Sequence, residues 1–237
     1  MTLPFFYIKD ILPETKMLVL NEETSKHVVQ VLRMQNGEQL NLTDGKGNLL
    51  TTEITDNHKK NCVVKIVSSD HQLPTSNKIS IAISLLKNAN RFEWFLEKAA
   101  ELGVNEIIPL LCSRTERAHF RSDRMKGILI SAMLQSQQCW LPVLQEPVQF
   151  YDFVIEEDDD RNKFVAHCEE ESKQPLMGSV IEPFIDKLIL IGPEGDFTKE
   201  EIAHSIINNF IPVSLGNTRL RAETAGIVAA TLLCLNR

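Results

Sequence analysis

Lys187–Ile202 reads KLILIGPEGDFTKEEI, and Leu215–Gly226 reads LGNTRLRAETAG. In the first stretch an apolar run suited to a buried strand stops at Gly192. Pro193, Glu194 and Gly195 then precede a helix signal, in which Thr198 followed by Glu201 forms a capping box. The second stretch follows another apolar run, IPVSLG, which ends at Gly216. The first turn has neither the G-K-[ST] of a phosphate loop nor the G-x-G-x-x-G of a dinucleotide site, and it carries no serine or cysteine nucleophile. Glycine at a strand end lets backbone come close to another group. In open α/β sheets, ligands sit at the carboxyl ends of strands. Two neighbouring strand ends of this kind are expected to enclose a pocket whose polar contacts are mainly main-chain NH and CO, a surface suited to an adenine ring. Two ordinary βα turns using glycine for geometry alone give the same local pattern.

Working outward, residues after 77 alternate between strand and helix. KISIAISLL is a near-continuous apolar strand, as in a sheet covered on both faces. RFEWFLEKAAELG is a helix with Phe92, Phe95, Leu96, Ala99 and Leu102 on one stripe and Gly103 as its stop. VNEIIPLLC, KFVAHC, KLILIG and IPVSLG read as strands. RMKGILISAMLQSQQ, TKEEIAHSIINNF and RAETAGIVAATLLCL read as helices. This alternation indicates an α/β layer with a largely parallel sheet. Glu93, Glu97 and Glu101 stack at four-residue spacing, an arrangement that costs about 0.2–0.5 kcal/mol per pair. It implies a cationic partner or a fully solvated face.

Residues 1–72 read mainly as β. FFYI and MLVL are short strands, QLNLTDGKGNLLTTEIT is a hairpin turning at Asp44–Gly47, and NCVVKIV continues the alternation. One helix, EETSKHVVQVLR, places Val28, Val31 and Leu32 at helical spacing, with His27 and Arg33 at the stripe's edge. A small barrel is the natural closure for such strands, and LPTSN at 73–77 reads as a linker.

The 237-residue chain is 43% hydrophobic and 24% charged, as in ordinary globular proteins. MTLPFFYIKD has no basic region ahead of a long apolar stretch, so no secretory signal is expected. IVAATLLCL is too short to span a bilayer. The five cysteines, at 62, 112, 139, 168 and 234, have no paired ligand spacing. They read as buried thiols of a reducing cytoplasm, and no metal is expected. The net charge of −7 argues against nucleic acid, but the excess acid is concentrated in residues 128–186, which carry 12 acidic and 3 basic side chains. RTERAHFRSDRMK is a local basic concentration able to meet phosphates.

IGPEGDFT together with LGNTRLRAETA resembles the paired motifs of the RsmE-type ribosomal RNA uridine methyltransferases of the SPOUT superfamily. HVVQVLRMQNGEQLNLTDGKG is similar to that family's N-terminal PUA-like barrel with its His-x-x-x-Val-Leu-Arg element. KNANRFEWFLEKAAELGV and SRTERA are similar to its central signatures. The chain departs from the family in three places. Asp196 stands where the family usually has a second glycine, LQSQQCW replaces a Glu-Gln-Ser-Gly-Arg-like segment, and Thr218-Arg219-Leu220-Arg221 replaces Arg-Ile-Leu-Arg.

The resemblance implies an α/β fold comprising a PUA-like β-barrel over 1–72 and a trefoil-knotted SPOUT methyltransferase domain over 78–237. It implies methyl transfer from S-adenosylmethionine to the imide nitrogen of a uridine in small-subunit ribosomal RNA, free or assembled, by a cytoplasmic homodimer that binds no membrane. The donor would be held by Leu190, Ile191, Gly192, Pro193, Glu194, Gly195, Leu215, Gly216, Leu220 and His167. Arg221 would donate hydrogen bonds to charge developing on the uracil, while Glu223 would accept the proton or orient the helix. Arg219 would meet the donor's carboxylate or a phosphate. His27, Arg33, Arg91, Arg114 and Arg117 would contact the RNA backbone. Two other readings are a SPOUT enzyme acting on a ribose hydroxyl and a non-catalytic RNA-binding adaptor.

Overall fold

A computed structural model of the chain describes residues 3–9, 15–116, 119–156, 160–169, 173–179 and 184–235. Packing separates two compact units, one comprising Met1–Pro74 and Met133–Leu141, the other Thr75–Ala132 and Pro142–Arg237.

In the first unit, β1 (Phe5–Tyr7), β2 (Met17–Val19), β3 (Gln39–Thr43), β4 (Asn48–Asp56) and β5 (Val63–His71) form one sheet in the order β1-β3-β4-β5-β2. Among the described residues this order is an open run with β1 and β2 at its edges, where the sequence reading anticipates a closed barrel. Leu40, Leu42, Ile54, Val64 and Val28 form its buried core. The β3–β4 hairpin turns at Gly45 and Gly47, both with positive φ. Met133–Leu141 returns to this unit: Leu141 N donates to Gly45 O at 2.9 Å, and Trp140 Nε1 donates to Gln72 O at 3.1 Å.

The helix α1 (Glu22–Lys26) runs straight into a π-helical turn over His27–Val31. Wider i→i+5 bonds rotate the following side chains relative to an α-helix. Val28 is therefore buried, whereas Val31 and Leu32 are exposed, which corrects the expected three-residue stripe.

The second unit is an α/β layer. It contains β6 (Ile79–Ser84), α2 (Ala89–Leu102), β7 (Glu106–Leu111), α3 (Ser122–Gln135, the end of which belongs to the first unit), β8 (Val143–Leu144), β9 (Val148–Gln149) and α4 (Phe150–Glu156). It continues with β10 (Asn162–Ala166), β11 (Gln174–Pro175), α5 (Leu176–Ser179), β12 (Lys187–Ile191), α6 (Lys199–Ile207), β13 (Ile211–Ser214) and α7 (Ala222–Leu235). Strand order is β11-β13-β10-β12-β6-β7-β8, with β9 also paired to β7, and every pairing is parallel.

All residues of β6 and β12 are buried, Ser80, Ser84 and Lys187 included, as near-continuous apolar strands require in a sheet covered on both faces. The helix α2 ends at Gly103 in the left-handed conformation and buries Phe92, Phe95, Leu96, Ala99 and Ala100; Leu102, assigned to the stripe from sequence, is only half-buried. Its three glutamates have cationic partners. Arg124 donates to both oxygens of Glu93 at 2.6 and 2.8 Å, and Lys98 Nζ reaches Glu97 at 2.7 Å and Glu101 at 2.8 Å. The arginine holds the Glu93 carboxyl below its ordinary value, against a smaller opposing effect of burial. At Gly226 the helix α7 comes so close to α2 that a Cβ would lie 2.7 Å from the Phe95 ring.

Candidate functional site

The strand order corrects one expectation. The strands ending at Gly192 and Gly216 are not neighbours, because β10 lies between them. Ala166 stands beside Ile191 on one side and Val213 on the other. Three strand ends therefore meet at one level, and a cavity of about 340 Å³ opens there. Its volume lies within the roughly 300–1,000 Å³ of small-molecule sites.

The turn after β12 is anchored from several directions. Asp196 N donates to Pro193 O at 2.9 Å, closing a tight turn. Glu194 Oε1 accepts from Lys87 N at 3.1 Å. Arg114 Nη1 donates to Gly195 O at 2.6 Å and to Phe197 O at 3.3 Å. Thr198 caps α6 with the reciprocal Glu201 bond, and buried Glu201 also accepts from Ser113 N at 2.7 Å. Gly192 is needed for closeness: a Cβ there would come within 3.0 Å of Phe197 N, a backbone atom that cannot swing aside.

Of the residues assigned to donor binding from sequence, Ile191, Gly192, Pro193, Glu194, Leu215, Gly216, Leu220 and His167 line this cavity. Leu190 does not. Successive strand residues point to opposite faces, and Leu190 is fully buried in the apolar core with Leu188 and Val165. Gly195 also lies outside the lining, with its carbonyl turned to Arg114. Arg219 lines the cavity, whereas Arg221 is exposed ahead of α7 and is not among the lining residues. Glu223, in the first turn of α7, is buried, with Oε1 3.6 Å from Arg91 Nε and Oε2 lacking a hydrogen-bond partner among the described residues.

The residues assigned to RNA fall into different settings. His27 and Arg33 are exposed in the first unit, where the His27 ring meets Phe6 edge-on at 5.5 Å. Arg91 faces Glu223, and Arg114 faces the two carbonyls of the turn. Arg117 lies outside the described residues, as do the acidic positions 157–159, 170 and 171. Much of the basic stretch is thus engaged within the chain: Arg121 Nε also donates to His119 at 3.2 Å, and Arg124 is bound to Glu93.

Sequence reasoning missed Cys168, Lys173 and the side chain of Asp196 as parts of the lining. Lys173 Nζ donates to the carbonyls of His167 and Glu169, at 3.0 and 2.6 Å, and so shapes the loop after β10. Burial raises the Cys168 thiol, with Asp196 adding to the effect. Cys112, beneath the turn, is pushed up to about 12 by burial, assisted by Glu201. The unusual Asp in GPEGD was the one visible signal for Asp196.

The family described as "RNA methyltransferase domain" matches residues 73–234, and the one described as "RNA methyltransferase PUA domain" matches residues 20–67. A curated relative, Ribosomal RNA small subunit methyltransferase E of Synechocystis, is 31% identical over 209 residues, covering 86% of this chain and 68% of that one. The crystal structure of a probable rRNA-methyltransferase from Porphyromonas gingivalis superposes with a TM-score of 0.90 at 35% identity, covering 99% of this chain and all of that one. The Ribosomal RNA small subunit methyltransferase E of Neisseria gonorrhoeae, solved bound to S-adenosyl methionine, gives a TM-score of 0.86 at 27% identity, covering 96% of this chain and 95% of that one.

Proposed function

Since this chain belongs to the RNA methyltransferase family, we propose that it transfers a methyl group from S-adenosylmethionine to N3 of a uridine in small-subunit ribosomal RNA. The observation that carries this reading is the cavity at the three strand ends, lined by the two glycine turns. The lining suits the donor. The Gly192–Glu194 and Leu215–Asn217 backbones offer main-chain groups to an adenine, Leu215 and Leu220 offer apolar contact, and Arg219 offers a cation to a carboxylate.

Bound there, S-adenosylmethionine supplies an already reactive methyl group. The chain's task is to orient both partners and ready the nucleophile. Uridine N3 carries a proton at neutral pH, and losing it spreads negative charge over two carbonyl oxygens. Arg221 cannot take that proton, because a guanidinium stays charged. As an exposed cation just ahead of α7, it is assigned to donate hydrogen bonds to the developing charge. Glu223 has an acceptor atom not used among the described residues and is the acidic group next to it in sequence. Glu223→Gln separates its two roles: loss of the rising limb of the pH–rate profile marks a proton acceptor, and an unchanged profile marks an orienting group.

The same reading includes a trefoil knot in residues 78–237, a PUA-like domain in 1–72 that presents His27 and Arg33 to RNA, a cytoplasmic setting and a homodimer. Exposed Trp94 and Leu235 support burial against a second copy. Among the described residues, no helix is long and apolar enough to cross a membrane.

Nucleoside mass spectrometry of ribosomal RNA from cells lacking the protein is the direct test. Loss of 3-methyluridine is expected; loss of a 2′-O-methylated nucleoside instead assigns the chemistry to ribose. Calorimetry with S-adenosylmethionine adds a second arm, because an adaptor without catalysis need not bind the donor.

A further inference from the structure

Asp196 occupies a backbone position that disfavours most side chains. Its φ is +65°, in the left-handed region where glycine is the least strained choice and, among residues with a side chain, Asp and Asn are tolerated best. At such a site the carboxylate needs a reason to be present, and the structure provides one. Oδ1 accepts from Phe197 N at 2.8 Å within its own turn, while Oδ2 accepts from Cys168 N at 2.7 Å, just past the end of β10. Cys168 and Asp196 both line the cavity, as does His167 between Cys168 and the end of β10. One carboxylate thus ties two walls of the cavity together, across a sequence separation of 28 residues. Bonds from backbone amides to an ionised carboxylate are among the stronger ones a protein makes.

We propose that Asp196 is a positioning residue for the methyl donor: its carboxylate fastens the His167–Cys168 wall to the turn after β12 and so holds the cavity at the width the donor needs. The proposal rests on the assignment of the cavity to S-adenosylmethionine, but it concerns a residue that need not touch the donor. Lys173 reinforces the same wall from its other end, through the His167 and Glu169 carbonyls.

The test uses the full chain and two variants, Asp196→Asn and Asp196→Gly. Asn keeps the shape and tolerates the left-handed backbone but replaces one acceptor oxygen with a donor. Gly removes both bonds while relieving the backbone, so its unfolding is the less affected of its two properties. Dissociation constants for S-adenosylhomocysteine and S-adenosylmethionine are measured by calorimetry. Donor KM and kcat are measured on ribosomal RNA, and melting temperature is measured without ligand.

Both variants are expected to bind the donor about ten-fold more weakly or worse. KM should rise in step, kcat at saturating donor should stay within about two-fold, and Asn should fall between the parent and Gly. A general loss of folding would lower kcat and melting temperature together and would not produce that split. Variants that bind and saturate like the parent overturn the proposal and leave the cavity's assignment standing. A parent chain that binds neither compound removes the assignment itself, and this proposal with it.

Discussion

Replacing Arg114 with alanine distinguishes two roles for that residue. From sequence it is a phosphate contact; in the structure its Nη1 holds the carbonyls of Gly195 and Phe197. The 2.6 Å bond is short and charge-assisted, while the 3.3 Å one lies at the long end and adds little. A hydrogen bond to a charged group contributes about 1.5–3 kcal/mol. Because Arg114 is exposed, solvent screening reduces this to roughly 1–2 kcal/mol. For a domain of this size that lowers the melting temperature by about 2–8 °C. Gly192, Pro193 and Glu194 of the same turn line the cavity, so donor affinity is expected to fall by up to about 5–30-fold if the whole loss is felt there.

Arg114→Lys sharpens the contrast. Both carbonyls accept from Nη1, and a lysine ammonium sits one bond nearer the backbone than that nitrogen, so under the clamp reading lysine falls short of Gly195 O and restores little. Under the phosphate reading, lysine restores most of the RNA affinity. Thermal melts, donor calorimetry and RNA binding over a range of salt concentrations decide between them. The clamp reasoning fails if Arg114→Ala melts and binds donor like the parent while the slope of log affinity against log salt becomes shallower by about 0.7, the signature of one lost contact on a single strand.

Three other outcomes are expected. Gly226→Ala should destabilise the chain despite a helix-propensity gain of about 1 kcal/mol, because the new methyl lies 2.7 Å from the buried Phe95 ring; overpacking costs about 1–3 kcal/mol, and Phe95→Leu in the same chain should recover part of the loss in urea unfolding. Glu106 is buried, which alone would raise its carboxyl, yet bonds from Lys78, Gln145 and Ser80 together bring it below its ordinary 4.5. Its contribution is therefore complete above pH 4.5 and is lost as pH falls through the lower folded value. The difference in stability between the parent and Glu106→Gln should narrow over that interval. Iodoacetamide mapping at about pH 8–9, near the ordinary thiol range, should label exposed Cys168, slowly because its thiol is raised, and spare buried Cys112, whose thiol is pushed up to about 12; S-adenosylhomocysteine should protect Cys168, and equal labelling with and without it would place the ligand elsewhere.

The sequence by itself determined the long strands and helices and the level at which a site forms, but not the short β8, β9, α4, β11 and α5. Strands buried on both faces leave near-continuous apolar runs such as ISIAIS and KLILI, and α2 and α6 announce their ends through Gly103 and the Thr198–Glu201 box. These signals are local, since they depend on a residue's immediate neighbours and on the period of the backbone. The glycine turns at 192 and 216 were legible for the same reason. Tertiary structure alone decided that β10 separates those turns, that Met133–Leu141 belongs with the first unit, and that a π-helical turn carries Val31 and Leu32 to the surface. It also decided that Arg114 holds a loop 81 residues away and that Asp196 bridges two cavity walls. Such pairings depend on which distant backbone groups the completed sheet leaves without a partner, and no periodicity along the chain records that.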